Sequence, residues 1–207
     1  MHIQPEYALD LSEARRLIAE HGWARVVTYS DGALRATYGY FLLDDDDERV
    51  VVRGHFSGED PQAADIERRS RVLLIFDGPH GYISASWYRP VLTNTASTWN
   101  HISVHVHGVA EPLEGDDALD VLRRTLDQHE AEETDPWRLE GESLTRARGL
   151  VAGVRAFRLR ADRVEAKAKM SQDKPRAVIT RVIETLDRPG PHANSALADT
   201  MRRVNAP

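Results

Sequence analysis

Apolar residues fall first into short runs set off by turn signals and later into helical spacing. Ser12 to His21 (SEARRLIAEH) has helical spacing, with Ser12 placed to cap it, Leu17 and Ile18 facing inward and Gly22 placed to stop it. Trp23 to Tyr29 (WARVVTY) reads as a strand, and Asp31-Gly32 is the dipeptide of a tight hairpin turn. Ala33 to Leu43 gives the return strand and Arg49 to Arg53 a third; Pro61 to Arg69 looks like a short helix. Val72 to Phe76 (VLLIF) is apolar throughout, which predicts a strand buried on both faces. Tyr82 to Ser86 and His101 to Val109 add two more strands.

The second half changes period. Ala118 to Glu133 and Leu139 to Val151 are helical, Gly153 to Lys169 is a long strand, Pro175 to Leu186 begins a helix at proline, and Ser195 to Val204 closes with a short helix. Strands joined by tight turns, with helices inserted later, predict a mainly β fold with peripheral helices (α+β), an antiparallel barrel. No repeat or low-complexity linker interrupts residues 1–207, so one domain is expected, with helical insertions at about 115–151 and a C-terminal helical extension at about 175–207.

Composition narrows the chemistry. No cysteine occurs among the 207 residues, which excludes disulfides, thiolate nucleophiles, iron–sulfur clusters and thiolate-ligated haem. Any metal must be held by His, Asp, Glu or oxygen ligands. A formal charge of −6 argues against a DNA surface that works by counterion release. The acidic run from Asp44 to Glu48 lacks the alternating spacing of a calcium loop and reads as a solvated hairpin loop. No apolar run suits a membrane helix, and MHIQPEYALD lacks the regions of a signal peptide, so a soluble cytoplasmic protein is expected.

The richest stretch is Gly78 to Gly108, GPHGYISASWYRPVLTNTASTWNHISVHVHG, which opens on a Gly78-Pro79 turn and holds four of the nine histidines in 31 residues. Polar, aromatic and titratable groups at that density suit the wall of a pocket for a flat ligand. Within it, His101, His105 and His107 alternate with Ile102, Val104 and Val106, which places the histidines on one strand face. His105 and His107 would lie about 7 Å apart at the usual strand rise, too far for an ideal shared metal without side-chain convergence. A polar face at a dimer interface is the favoured role, and a second haem ligand or an acid/base at His105 is the other.

The strings GPHGYISASWY, STWNHISVHVHG and KMSQDKP, with RGHFSGEDPQ upstream, resemble the PaiB-like proteins of the FMN-binding split-barrel superfamily. The resemblance runs from about Ala24 to the helix after Lys174. It implies an antiparallel split β-barrel of the FMN-binding type, a homodimer and a ligand at or near the subunit interface. The family also includes haem-dependent piperazate synthases, which close an N–N bond in N-hydroxyornithine. Two departures bear on the ligand. After Arg53-Gly54-His55, a stretch that is usually small and basic becomes Phe56 to Pro61 with two acids, which weakens the case for a flavin phosphate. Ser97 stands where proline usually precedes the Trp-Asn pair.

His55 is the candidate haem-iron ligand, against a bland role bonding its own loop. Trp87, Tyr88 and Trp99 would stack on or roof a planar ring, or simply pack a core. Asn100 would bond a cofactor edge or a substrate carboxylate, or cap the loop backbone. Lys169, Ser171 and Gln172 end the long strand before the Pro175 helix, where Lys169 and Lys174 suit a haem propionate, a flavin phosphate or an amino-acid carboxylate, or are merely solvated. Lys169 and His105 are the candidates for proton transfer. Thr37, Tyr38 and Tyr40 are compatible with pocket lining. The sequence shows no Gly-rich nucleotide loop, HExxH, GxSxG or helix-turn-helix pattern.

Three functions compete. The first is an enzyme binding haem b and resembling piperazate synthase, acting on a small-molecule amino-acid substrate. The second is an FMN-binding oxidoreductase. The third is a PaiB-type negative transcriptional regulator, for which direct DNA binding is disfavoured by the acidic balance. The haem enzyme is the reading carried forward.

Overall fold

The computed structural model describes residues 1–44 and 49–206; residues 45–48, within the expected acidic loop, lie outside the described residues. The chain divides into two compact units: a barrel unit of Arg15–Phe76 and His105–Val164, and a terminal unit of Met1–Ala14, Asp77–Val104 and Glu165–Pro207.

Six strands are present: β1 Trp23–Ser30, β2 Ala33–Leu43, β3 Val51–Ser57, β4 Arg71–Ile83, β5 Thr98–Leu113 and β6 Val154–Lys169. Their order, β1-β2-β3-β6-β5-β4, closes into a barrel, which bears out the expected split-barrel class. β1 pairs antiparallel with β2 from Trp23↔Tyr40 to Ser30↔Ala33, and with β4 from Ala24↔Phe76 to Thr28↔Val72. β3 bridges β2 (Tyr40↔His55) and β6 (His55↔Ala156). The β1–β2 turn forms because Asp31 and Gly32 both take positive φ, 52° and 76°, the left-handed pair that matches strand twist.

The barrel core is aromatic. Phe41 meets Phe157 at 5.3 Å and Phe76 at 6.2 Å, edge to face, and Phe56 meets Phe157 at 5.9 Å. The helix α2 (Ala63–Glu67) is tied down by a buried polar cluster beside its buried Ala63 and Ile66. Its Asp65, 1% exposed, accepts from Thr28 and Ser30 at 2.6 Å each, with Arg35 at 3.4 Å. The buried Gln62 donates to the Val26 carbonyl at 3.2 Å and to Thr28 at 3.0 Å.

Four expectations are corrected. Val72 to Phe76 is not buried on both faces: Val72, Leu74 and Phe76 are buried while Leu73 and Ile75 are half-buried, so it alternates. No turn forms at Gly78-Pro79. β4 runs through it to Ile83, and because pairing with β1 ends at Phe76, the missing N–H of Pro79 breaks no bond of that ladder. The first helix, α1 Leu11–Glu20, is capped by Asp10 rather than Ser12, since Asp10 Oδ1 accepts from Glu13 N at 2.8 Å. Asp44, expected in a solvated loop, instead accepts from Arg53 at 2.8 Å and Arg124 at 3.0 Å.

The later helices are α3 Gly115–His129, α4 Gly141–Leu150, α5 Arg176–Asp187 and α6 Ser195–Val204. α5 begins directly after Pro175, as the sequence predicts. α6 is capped by Asn194, whose Oδ1 accepts from Leu197 N at 3.0 Å. Ile83, Tyr88, Met170, Val182, Leu197 and Met201 form the buried apolar set of the terminal unit. Among the described residues no helix is long and apolar enough to cross a membrane.

Candidate functional site

His55 sits on β3 between Gly54 and Phe56, both buried, so strand alternation turns its ring to the opposite face. Its backbone partner Tyr40 shares that face. Together they line a cavity of about 440 Å³ that also includes Trp23, Thr37, Tyr38, Phe56, Ser57 and Asp60. The structure thus places Thr37, Tyr38 and Tyr40 around the same cavity as His55.

The imidazole is half-buried and its Nδ1 is buried with no hydrogen-bond partner. Leaving such an atom unmade costs roughly 1–3 kcal/mol, so a sequence retains it at a net loss unless something else uses the ring. Burial lowers the His55 pKa and keeps the ring neutral, the form that ligates metals. Tyr40 is fixed from the helical side: its hydroxyl accepts from Gln128 at 2.9 Å, and its ring meets His129 edge-on at 4.4 Å. Trp23 and Tyr38 stack at 5.9 Å and 7° while remaining 61% and 50% exposed, so a flat apolar wall is left open beside the cavity.

The acids after His55 shape the loop. Asp60 Oδ1 accepts from Gln62 N at 2.8 Å and so holds the turn that enters α2, while Glu59 is exposed. Among the described residues no lysine or arginine lines the His55 cavity, although the Arg25 guanidinium lies 5.8 Å from the centre of the Tyr38 ring on its wall. A flavin phosphate and the two propionates of a haem would alike find no counter-charge among these walls, while the neutral imidazole of His55 has the form of a metal ligand.

The other predicted residues lie in the terminal unit, except His105 and His107, which are half-buried on β5 in the barrel unit; their ring nitrogens come within 4.8 Å of one another, so the side chains converge more than the strand rise alone predicts. The alternation on β5 holds, with Ile102, Val104 and Val106 buried and the three histidines half-buried. Burial, then Lys167 and Lys169, lower the His101 pKa despite Asp77.

Trp87 and Tyr88 close a 3₁₀ turn, Ala85–Tyr88, that is capped by the Ser84 hydroxyl and takes in the Ala85 and Ser86 of the strand expected over Tyr82 to Ser86. Tyr88 is fully buried with its hydroxyl unbonded; Trp87 meets His192 at 5.4 Å. Trp99, 52% exposed, donates from Nε1 to His80 Nδ1 at 3.2 Å. Asn100 is fully buried and donates to Ser171 Oγ at 3.0 Å.

Gln172 folds over its own strand end, accepting from Met170 N and donating to the Ala168 carbonyl, both at 2.6 Å. Lys169 donates to the Thr98 hydroxyl, and Lys174 pairs with Asp173 at 2.7 Å. Lys169, Ser171 and Lys174 line one small cavity together with Tyr7, Thr98 and Asp173. Tyr7 is absent from the sequence reading because its Pro-Glu-Tyr turn carries no motif and joins the site only through folding.

Known proteins share this frame. The chain is 29% identical over 184 residues to the Bacillus subtilis "Protease synthase and sporulation protein PAI 2", covering 88% of this chain and 87% of that one. The FAD and haem binding protein of Mycobacterium smegmatis superposes with a TM-score of 0.62 at 17% identity, covering 79% of this chain and 73% of that one. The flavocytochrome Anf3 of Azotobacter vinelandii gives 0.61 at 17% identity, covering 81% and 72%. At such identity these structures establish the fold. The family described as "Putative FMN-binding domain" matches residues 1–163, and the chain belongs to that family, as its PaiB-like motifs led one to expect.

Proposed function

We propose that the cavity at His55 binds haem through that imidazole and that the chain is a haem-dependent enzyme resembling piperazate synthase. The observation that carries the reading is the neutral, partly buried His55, with an unbonded Nδ1, in a cavity walled by aromatic rings. Two structurally similar proteins, one named as binding FAD and haem and one as a flavocytochrome, support the view that this frame accepts such groups.

Bound haem would supply a Lewis acid for the hydroxylamine oxygen of an N-hydroxylated ornithine-type amino acid. The reaction is redox-neutral: an N–N bond forms as the N–O bond breaks, and the hydroxyl leaves as water with a proton from the attacking amine. His55 would hold the group by a neutral nitrogen. Tyr38 and Tyr40 would wall the cavity and exclude water, and Tyr40 is kept in place by Gln128. The exposed Trp23–Tyr38 stack is the surface a second copy would cover in a homodimer.

The flavin reading is favoured by the family description, and the absence of lysine and arginine from the described lining weighs equally on a flavin phosphate and on haem propionates. The absorption spectrum of the purified protein separates them: a haem band lost in His55→Ala and kept in His105→Ala is expected. A yellow flavin spectrum, or haem content unchanged in His55→Ala, would overturn the assignment. Light scattering on the same sample should give twice the chain mass, and a haem-loaded monomer would remove the dimer.

A further inference from the structure

We propose that the cavity lined by Tyr7, Thr98, Lys169, Ser171 and Lys174 is a recognition site for a single carboxylate group of a small ligand. Its volume, about 160 Å³, is well below the roughly 300–1,000 Å³ of pockets that enclose whole drug-sized molecules, so it suits one functional group.

Charge selects which group. Lys174 is neutralised by Asp173 at 2.7 Å, and the Tyr7 hydroxyl donates to the same carboxylate. Lys169 is half-buried, its hydrogen bond goes to the Thr98 hydroxyl, and no carboxylate pairs with it among the described residues. The walls therefore carry one net positive charge. A carboxylate balances it; a phosphate dianion would leave one charge uncompensated in a half-buried site.

The backbone around Lys169 is built with unusual care. Ser171 is one of three non-glycine residues with positive φ among those described, at 67°, a conformation that persists only where surroundings enforce it. Those surroundings are Asn100, bonded to the Ser171 hydroxyl, and Gln172, bonded to Met170 N and the Ala168 carbonyl. They fix the strand end that carries Lys169, and no catalytic role is needed to explain them.

The test uses the whole chain without cofactor, so its failure would leave the His55 reading intact. Protein labelled at lysine Cε is titrated with sodium acetate, then with inorganic phosphate, at constant ionic strength. The Lys169 signal should move saturably with acetate. Lys169→Met should weaken acetate binding, read at the Lys174 signal, by about tenfold, whereas Lys169→Arg should stay within about threefold because the charge remains. A Lys169 signal that fails to saturate, acetate binding unchanged in Lys169→Met, or phosphate binding tighter than acetate would each overturn the proposal.

Discussion

At the scale of single residues, the strand end after Lys169 shows how a side chain with two readings resolves. Asn100 had the composition of a ligand contact or of a backbone cap. It is fully buried, and its amide is spent on Ser171 and, at 3.5 Å, the Met201 sulfur. Asn100→Ala should therefore act through stability. It strands the Ser171 hydroxyl and should lower the unfolding free energy by about 1–3 kcal/mol in urea denaturation. An unchanged midpoint would return Asn100 to the list of ligand contacts. The KMSQDKP string was legible as a polar strand end leading into the Pro175 helix, but the division of labour among its side chains was not. Lys169 faces a cavity while Gln172 closes on its own backbone, and only the fold decides which polar group finds a partner nearby.

At the scale of elements, the β2–β3 pair explains the glycine of the Arg53-Gly54-His55 string. A Cβ on Gly54 would meet Phe41 Cδ1 at 2.4 Å and the Tyr40 carbonyl oxygen at 2.5 Å. One contact is backbone, so the strand itself would have to move. Gly54→Ala should cost about 1–3 kcal/mol of stability, the usual penalty of overpacking, and should displace His55 enough to reduce haem retention. Full retention in a variant that is folded but less stable would show that His55 is not the anchor.

The elements themselves were largely legible, because turns and periods are local. Asp31-Gly32, the Pro175 helix start and the β5 alternation all appear where the residues put them. The failures are where tertiary context decides. Val72 to Phe76 is apolar throughout yet alternates in burial, and Gly78-Pro79 turns nothing because β4 has already left its β1 partner. Asp65, which ties α2 to β1, had no local signal at all: its partners Thr28 and Ser30 lie 37 and 35 residues away.

At the scale of the whole molecule, the titratable groups set a two-step response to acid. His55 and His101 both have pKa values lowered chiefly by burial. In the unfolded chain they take up protons as pH falls through about 6.5, while in the folded state they resist, so stability is lost from that point downward. Asp65 behaves differently. Burial raises its pKa, but the Ser30 and Thr28 hydroxyls and then Arg35 and Arg68 outweigh that, and the net shift is downward. Asp173, through Lys174 and Tyr7, also ends below the usual range despite burial. A depressed carboxyl contributes stability that is complete above its unfolded value, about 4, and disappears as pH falls through the folded value. Thermal melts of cofactor-free protein should thus be level from pH 8 to 7, decline below about 6.5 and steepen below about 4. His55→Asn should blunt the first decline and leave the second. A first decline of full size in that variant would mean that the ring at 55 takes up its proton in the folded protein as readily as in the unfolded chain, so burial would not be what keeps its lone pair free for iron.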